Sequence, residues 1–393
     1  MANITFCGLI ASPYQLKMQS LADYAGLQWQ RWPDQAGMLE AIGTYRRLAK
    51  ARKQQAVERF PEHIPGLDEY PEVPYYTFDG RQFYYDSTGL ALHLDALGPS
   101  SEPLIPEDPA LRFICQLIDE AFDEFGLYMV HHNRWVTSAA TNIMGKMTVR
   151  EMRKLLPPLL RQRTARKLAE RQVQRCPYLF SVAPAGYENG LREALVPPSR
   201  ESFPPTHELL DTAWRRYLAA MESILQQQPF LLGQRFTLAD ASAYGQLSMN
   251  LVDGRAARLL EELAPLTFRW LCMIRDGGHR DSRGELRPGE NLNPLLDCIG
   301  ETFTPLMRQN AAAYREAIRR GQSLFNEAAF DRGEALYDGS LLGMPYRAVA
   351  KSFQVTVWQQ LCNDWLLLGD DDRQALRARF PQLQDALFDA ASA

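Results

Sequence analysis

NITFCGLIASPYQLKMQSLADYAGLQWQRW, residues 3–32, has the pattern of a strand, a helix and a second strand. Its beginning is an apolar run rich in strand formers, and Leu16, Leu21 and Tyr24 then follow at helical spacing. Pro13 suits an early helical position, where the backbone amide is not needed, and Gly26 is typical of the residue that ends a helix. The stretch therefore predicts a β-α-β unit at the start of the chain.

A second group of elements follows a long linker. VPYYTF and RQFYYDS flank Asp79-Gly80, a pair that readily adopts the positive φ angles of a two-residue turn, so a hairpin is predicted. STGLALHLDALG then predicts a helix that begins at Ser87. The order β-α-β, linker, β-β-α predicts a thioredoxin-like domain of four strands over residues 1–98, with an inserted helix at about 36–62.

Composition limits the classes of protein. The 393 residues are 46% hydrophobic and 23% charged, which is typical of a globular protein with two or three structural units. The net charge of -4 argues against a general nucleic-acid binder, and the six scattered cysteines predict reduced thiols and no metal site. Because no signal peptide or long apolar run is present, we expect a cytoplasmic protein without a membrane partner.

The stretch FTLADASAYG, residues 236–245, carries a helix-start signal. Thr237 stands three residues before Asp240, so the threonine hydroxyl can accept from the Asp240 amide while the Asp240 carboxylate accepts from the Thr237 amide. This pattern predicts a capping box in which aspartate takes the place of the usual glutamate. Its role is in folding.

The rest of the chain is predicted to be helical. We expect an all-helical domain over residues 105–275, a polar link rich in glycine and proline, and a helical extension over residues 276–393. An apolar side chain recurs at every fourth position through Val349, Phe353, Val357, Leu361 and Trp365, so the extension should pack on the helical domain. The predicted fold class is α+β.

Four stretches in this order resemble the glutathione S-transferase superfamily: CGLIASPYQLKMQSLADYAGLQWQ, EVPYY, YDSTGLALHLD and PFLLGQRFTLADASAYGQL. The resemblance covers about the first 275 residues. It implies a thioredoxin-like domain that binds glutathione and an all-helical domain whose core helix is capped by Thr237 and Asp240. It also implies a homodimer in which glutathione, as co-substrate, attacks a small electrophilic molecule.

The resemblance also implies a glutathione site. Val73-Pro74 matches the family's cis-proline, where the backbone of Val73 would pair with the cysteinyl part of glutathione. Asp86-Ser87 matches the acidic residue and serine that hold the γ-glutamyl end, with the free amides of a helix start nearby. An ordinary trans proline and a plain N-cap serine are the structural alternatives.

Ser12 occupies the position of the family's catalytic serine or cysteine. A hydroxyl donor there, together with the positive end of the first helix, would stabilise the glutathione thiolate without a general base. Tyr14 is the second candidate donor, and a simple N-cap is the structural alternative for Ser12. Cys7 lies inside the first strand, where a buried and unreactive thiol is expected.

Two basic stretches depart from the family pattern, one at residues 46–53 and one at residues 146–175. They suit RNA or an anionic substrate, but solvated helix faces are the favoured interpretation, balanced by acids at Asp119, Glu120, Asp123 and Glu124. His131-His132 is not predicted to bind a metal. A non-catalytic binding or assembly protein, which would use the insertion and the extension as partner surfaces, is the alternative function.

Overall fold

The computed structural model describes residues 3–61, 74–98, 102–188, 190 and 202–388. The strands in these ranges are β1 (Asn3–Cys7), β2 (Gln28–Trp32), β3 (Glu58–Arg59), β4 (Tyr75–Thr77), β5 (Tyr84–Tyr85), β6 (Leu336–Leu341) and β7 (Met344–Val349). The α-helices are α1 (Pro13–Tyr24), α2 (Met38–Lys53), α3 (Ser87–Ala96), α4 (Pro109–Ala121), α5 (Leu127–His132), α6 (Met144–Glu151), α7 (Pro158–Gln174), α8 (His207–Leu225), α9 (Leu238–Leu247), α10 (Gly254–Leu263), α11 (Pro265–Arg275), α12 (Asn293–Glu301), α13 (Phe303–Arg319), α14 (Glu327–Arg332), α15 (Ser352–Leu367) and α16 (Asp370–Arg379).

The first domain is built on a mixed sheet in the order β2-β1-β4-β5-β3. β1 is parallel to β2 and antiparallel to β4, and α1 forms the crossover, so the predicted β-α-β unit and the thioredoxin-like fold are confirmed. As predicted, Pro13 opens α1, and Gly26 follows its end with a φ of 70°. β3 adds a short fifth strand beside β5, which the sequence pattern did not predict.

The connection between β4 and β5 differs from the prediction. The prediction of a two-residue turn at Asp79-Gly80 is wrong. Residues 78–83 separate the two strands, and Asp79 does not adopt a positive φ. The Asp79 carboxylate instead accepts hydrogen bonds from the amides of Arg81 and Gln82, at 2.8 and 2.9 Å. An aspartate that bonds to amides just ahead of it stabilises a longer loop as well as a tight turn.

Helix α9 lies at the centre of the helical domain and is buried along its whole length. It begins with Thr237 as the N-cap, and the predicted pairing of Thr237 with Asp240 is confirmed, with the Thr237 hydroxyl donating to the Asp240 carboxylate at 2.8 Å. The Asp240 carboxylate accepts from the Thr237 amide at 2.9 Å and from the Leu231 amide at 2.8 Å. Burial raises the pKa of Asp240 to about 7 against these hydrogen bonds, which lower it.

The polar link after α11 is attached to α1 by buried and charged side chains. His279 is fully buried, and its Nε2 donates to the carbonyl oxygen of Ser20 on α1 at 3.0 Å. Arg280 forms an ion pair with Asp23 of the same helix at 2.7 Å. The link therefore ties the thioredoxin-like domain to the segment that leads into the extension.

The extension is not entirely helical, which corrects the prediction. β6 and β7 form an antiparallel hairpin, and Val349 is the last residue of β7, ahead of the start of α15. The four-residue spacing is therefore helical only from Phe353 onward. On α15, Trp365 packs against Phe113 of α4 with their ring centroids 5.0 Å apart. Within the described ranges, every helix is too short or too polar to cross a lipid bilayer.

Candidate active site

Three of the predicted site segments lie at one end of the sheet. Cys7 at the end of β1 pairs with Tyr75 at the start of β4, and β5 runs antiparallel to β4. The loop after β1, the residue before β4 and the residues after β5 therefore leave the sheet at the same end. Ser12, Pro74 and Asp86-Ser87 lie on these three segments.

Pro74 is buried and lies close to the loop after β1. A Cβ atom placed on Gly8 would stand only 2.7 Å from the Cβ of Pro74, so glycine is needed for this close approach. Val73, and with it the predicted cis bond to Pro74, lies outside the described residues. The cis X-Pro bonds within the described ranges are Trp32-Pro33 and Phe60-Pro61, which the sequence did not single out.

Ser12 is the N-cap residue of α1 and is half-exposed. Its amide donates to the carbonyl oxygen of Leu9 at 2.9 Å, but its hydroxyl makes no capping hydrogen bond in the described part of the chain. Pro13 follows as the first helical residue and cannot donate a hydrogen bond. The hydroxyl of Ser12 therefore stands at the positive end of α1 without serving as a cap.

The helical domain holds the loop that carries Ser12. Arg134 donates from Nη1 to the carbonyl oxygen of Ala11 at 3.0 Å, and the amide of Ile10 donates to the Glu151 carboxylate at 3.1 Å. Arg134 is buried and forms an ion pair with Asp253 at 2.8 Å. It lies in a π-helical turn, Asn133–Thr137, a feature frequent at functional sites. Arg134, which the sequence analysis did not single out, therefore holds the backbone next to Ser12.

Tyr14 has a partner in the helical domain. Its hydroxyl donates to the backbone carbonyl of Asp123 at 3.0 Å. Burial raises the pKa of its phenol well above the usual value, and the nearby Glu124 and Asp123 raise it further. Tyr14 therefore joins the two domains in this structure.

Asp86, not Ser87, is the N-cap of α3, which corrects the predicted cap. Its φ of 75° is unusual for a residue with a side chain, and such strain costs about 1 to 3 kcal/mol. Oδ1 accepts from the Gly89 amide at 2.9 Å, while Oδ2 accepts from Nε of Arg59 at 2.5 Å. Burial opposes the charge of Asp86, but Arg59 and the hydrogen bonds outweigh it and hold its pKa below the usual value. Ser87 is buried as the first residue of the helix.

Arg59 was missed because β3 is only two residues long and carries no hydrophobic pattern. It comes from the segment predicted as an insertion. It pairs with Tyr85 at the end of β5, next to Asp86. A ligand ammonium group at Asp86 therefore has to share the carboxylate with a guanidinium.

A buried lysine lies at the junction of the two domains. Lys17 on α1 donates from Nζ to Asp119 and to Asp123, each at 2.6 Å, and to the Thr88 hydroxyl at 3.0 Å. Ser242 of α9 donates to the other oxygen of Asp123 at 2.7 Å. Burial opposes the charge of Lys17, but the two carboxylates outweigh it and raise its pKa.

These contacts correct the role given to two of the acids. Asp119 and Asp123 do not balance the basic helix faces, because they are buried against Lys17. The signal in the sequence was Lys17 itself, which stands in line with Leu21 and Tyr24 on the apolar side of α1. A lysine on such a stripe is almost never buried without a partner.

The thiol of Cys7 is unsuited to nucleophilic chemistry. It is fully buried in the sheet, and burial raises its pKa to about 12. The thiolate is the reactive form of cysteine, and almost none is present at neutral pH when the pKa is so high. The expectation that Cys7 is buried is confirmed, and its raised pKa agrees with the expected lack of reactivity.

His131 and His132 are both buried on α5. Nδ1 of His132 lies 2.5 Å from the Ser181 hydroxyl, and its Nε2 lies 2.8 Å from Nδ1 of His207. His132 thus has a serine and a second histidine as partners.

His131 should make the protein sensitive to acid. Burial, with smaller contributions from the cations Arg175, Arg134 and Lys351, lowers the pKa of His131 to about 3. The unfolded chain takes up this proton near pH 6.5 and the folded chain does not, so stability present above pH 6.5 is lost as the pH falls towards 3. We expect a loss of about 1.4 kcal/mol per pH unit from this residue.

Urea unfolding of the native chain and of His131→Phe across this pH range measures the effect. On acidification the free energy of unfolding of the variant should fall less steeply than that of the native chain, by about 1.4 kcal/mol per pH unit. His132 and His207 also have pKa values lowered by burial, so part of the slope should remain. Equal slopes for the two proteins would contradict the assignment.

Comparisons with known proteins bear on the helical domain and on the whole chain. Residues 204–270 match the family model of the glutathione S-transferase C-terminal domain, a range that contains α8, α9 and α10. A search of curated proteins gave no match. Among solved structures, the β-etherase LigF of Sphingobium sp. strain SYK-6 is 16% identical with a TM-score of 0.41, and the match covers 72% of this chain and 100% of that one.

Two further solved structures are similar to the chain. A glutathione S-transferase of Ceriporiopsis subvermispora, in complex with glutathione, is 15% identical with a TM-score of 0.38, covering 70% of this chain and 97% of that one. The glutathione transferase GSTFuA3 of Phanerochaete chrysosporium is 15% identical with a TM-score of 0.42, with the same two coverages of 70% and 97%.

Proposed function

Because the chain carries a glutathione S-transferase C-terminal domain behind a thioredoxin-like domain, and so is a member of the glutathione S-transferase superfamily, we propose that it is a glutathione-dependent transferase. In this proposal it activates the glutathione thiol for attack on a small electrophilic molecule. The proposal includes a homodimer in the cytoplasm.

The observation that carries the proposal is the position of Ser12. Among the described residues its hydroxyl has no capping hydrogen bond, and it stands at the N-terminus of α1, at the same end of the sheet as Pro74 and Asp86. A thiol with an ordinary pKa near 8.5 is only a few per cent ionised at pH 7. One hydroxyl donor and the positive end of a helix are enough to lower that pKa by about one to two units.

Ser12 is preferred over Tyr14 as the donor to the thiolate. The Tyr14 hydroxyl already donates to the Asp123 carbonyl and would have to give up that hydrogen bond. Losing it would cost about 0.5 to 1.5 kcal/mol, the net contribution of a typical hydrogen bond. In the part of the chain that the structure describes, the Ser12 hydroxyl has no capping hydrogen bond to break.

Asp86 and Ser87 would hold the γ-glutamyl end of glutathione. The ligand's ammonium group would bind the Asp86 carboxylate beside Arg59, and its carboxylate would lie near the first amides of α3 and near Arg59 itself. The backbone of Val73, next to Pro74, would pair with the cysteinyl part. The site thus offers one carboxylate and one guanidinium to the charged end of the ligand.

Calorimetry with glutathione tests the binding step. The native chain should bind glutathione at millimolar concentration or below, and Ser87→Ala should weaken binding by about 1 to 2 kcal/mol. Arg59 already pairs with Asp86, an observation that favours the alternative of a non-catalytic protein. A native chain that fails to bind glutathione at millimolar concentration would support that alternative.

Ser12→Ala should raise the pKa of the bound thiol by about one unit or more and slow conjugation at neutral pH about tenfold or more. Tyr14→Phe should change both quantities much less. The measurement is the pH dependence of thiolate absorbance in the glutathione complex, together with the rate of conjugation to an aryl halide. A normal pH profile in Ser12→Ala beside a shifted one in Tyr14→Phe would assign the role to Tyr14.

A further inference from the structure

Helix α2 has one buried face and one exposed apolar face. Ala41, Thr44 and Leu48 are buried. On another side of the same helix, large apolar side chains remain in solvent: Met38 is 63% exposed, Leu39 88%, Ile42 36% and Tyr45 56%.

The exposed side chains form a stripe. At 100° per residue, Met38, Ile42 and Tyr45 fall within an arc of about 60°, with Leu39 beside them. Single exposed apolar residues are ordinary on a protein surface, but a contiguous group of this kind marks an interaction site.

Cations flank this stripe. The second half of α2 carries five of them, and the helix has Glu40 as its one acidic residue; the five are Arg46, Arg47, Lys50, Arg52 and Lys53. By helical position, Arg46, Lys50 and Lys53 lie along one side of the stripe, and Arg52 lies along the other.

Further cations stand at the N-terminal end of α2. Lys154 donates to the carbonyl oxygens of Asp34 and Ala36, and Arg153 pairs with the Asp34 carboxylate at 3.1 Å. The whole chain has a net charge of -4, so the positive charge at this helix is a local feature.

The exposed apolar stripe and the cations beside it together restrict the class of partner that α2 could bind. In a symmetric dimer through this face, the cations of α2 would meet those of the second copy. Nucleic acid would match the charge but would leave Met38, Leu39 and Ile42 in contact with a polar backbone. An anionic lipid surface satisfies both properties, because it takes up apolar side chains below its phosphates and binds lysine and arginine at them.

We propose that α2 docks this chain on anionic lipid bilayers, with Met38, Leu39, Ile42 and Tyr45 inserted at the headgroup boundary. The helix lies parallel to the surface, and its buried face stays packed in the thioredoxin-like domain. The long stems of Arg46 and Lys50 extend from the apolar stripe to the phosphates. This attachment is peripheral and reversible, and it does not depend on the proposed transferase activity.

Co-sedimentation of the full-length chain with lipid vesicles tests the proposal. The native chain should bind vesicles rich in phosphatidylglycerol, bind pure phosphatidylcholine vesicles far less, and dissociate from the anionic vesicles at high salt. Met38→Ser with Leu39→Ser should weaken binding about tenfold or more, because two apolar side chains are lost. Arg46→Gln with Lys50→Gln should weaken it about tenfold or more, since each cation near an anionic surface contributes about fivefold.

Matched controls use exposed residues on other helices. Leu366→Ser with Leu367→Ser changes two exposed leucines on α15. Arg319→Gln with Arg320→Gln changes two exposed cations, the last residue of α13 and the residue that follows it. Both control variants should bind vesicles like the native chain. Thermal unfolding shows that each variant is folded.

Three results would overturn the proposal. The native chain could fail to bind anionic vesicles, or the α2 variants could bind as well as their controls. The α2 variants could also change the oligomeric state in light scattering, or the binding of polyuridylate, while leaving vesicle binding intact. That last result would assign the face to a second copy or to nucleic acid.

Discussion

A chain truncated after Arg275 is expected to aggregate instead of folding to a soluble monomer or dimer. The extension contributes Trp358, Trp365 and Phe388 to the main hydrophobic core, where all three are buried. The rings of Trp365 and Phe388 lie 5.0 and 5.3 Å from that of Phe113 on α4. Removal of the extension would expose the apolar surface of α4, and a large exposed patch of this kind causes association.

Expression of the truncated chain, followed by size-exclusion chromatography and thermal unfolding, measures this effect. A milder version keeps the chain intact: Trp365→Ala should destabilise it by about 3 to 5 kcal/mol, because a large cavity is left in the core. Leu367→Ala, two residues away and 83% exposed, is the matched control and should have little effect. A truncated chain that is soluble, monodisperse and as heat-stable as the full chain would contradict the prediction.

Lys17→Met should destabilise the chain by about 3 to 5 kcal/mol. The substitution keeps the length and apolar character of the side chain but removes the charge that faces Asp119 and Asp123. Two carboxylates would then remain buried without a counter-ion, and breaking a buried ion pair in this way carries a cost of that size. Lys17 is on α1, whereas Asp119 is on α4 and Asp123 is in the π-helical turn that follows α4. The docking of the two domains should therefore weaken together with stability.

The control for Lys17→Met removes the carboxylate charges as well. A triple variant with Lys17→Met, Asp119→Asn and Asp123→Asn should recover much of the lost stability, because no uncompensated charge is left buried. Urea unfolding at neutral pH gives the three free energies. If Lys17→Met alone loses less than about 1 kcal/mol, or if the triple variant is worse than the single one, the network does not have this role.

The elements that the sequence predicted well are those with local causes. Helical spacing and Pro13 predicted α1, and Gly26 takes the positive φ that ends it. The cap of α9 was equally predictable, since Thr237 and Asp240 are three positions apart and bond to each other. The prediction of the hairpin turn was wrong although its causes are local, because an aspartate such as Asp79 stabilises both a tight turn and a longer loop.

The sequence by itself thus determined the order of strands and helices in the first domain apart from β3, the starts of α1 and α9, and the candidate position of Ser12. Only the tertiary structure decided where the charged residues lie. Lys17 meets Asp119 across 102 positions of sequence, and Arg134 holds the carbonyl of Ala11 across 123. The physical reason is that burial and the nearest opposite charge set a side chain's environment, and both depend on which elements fold over it.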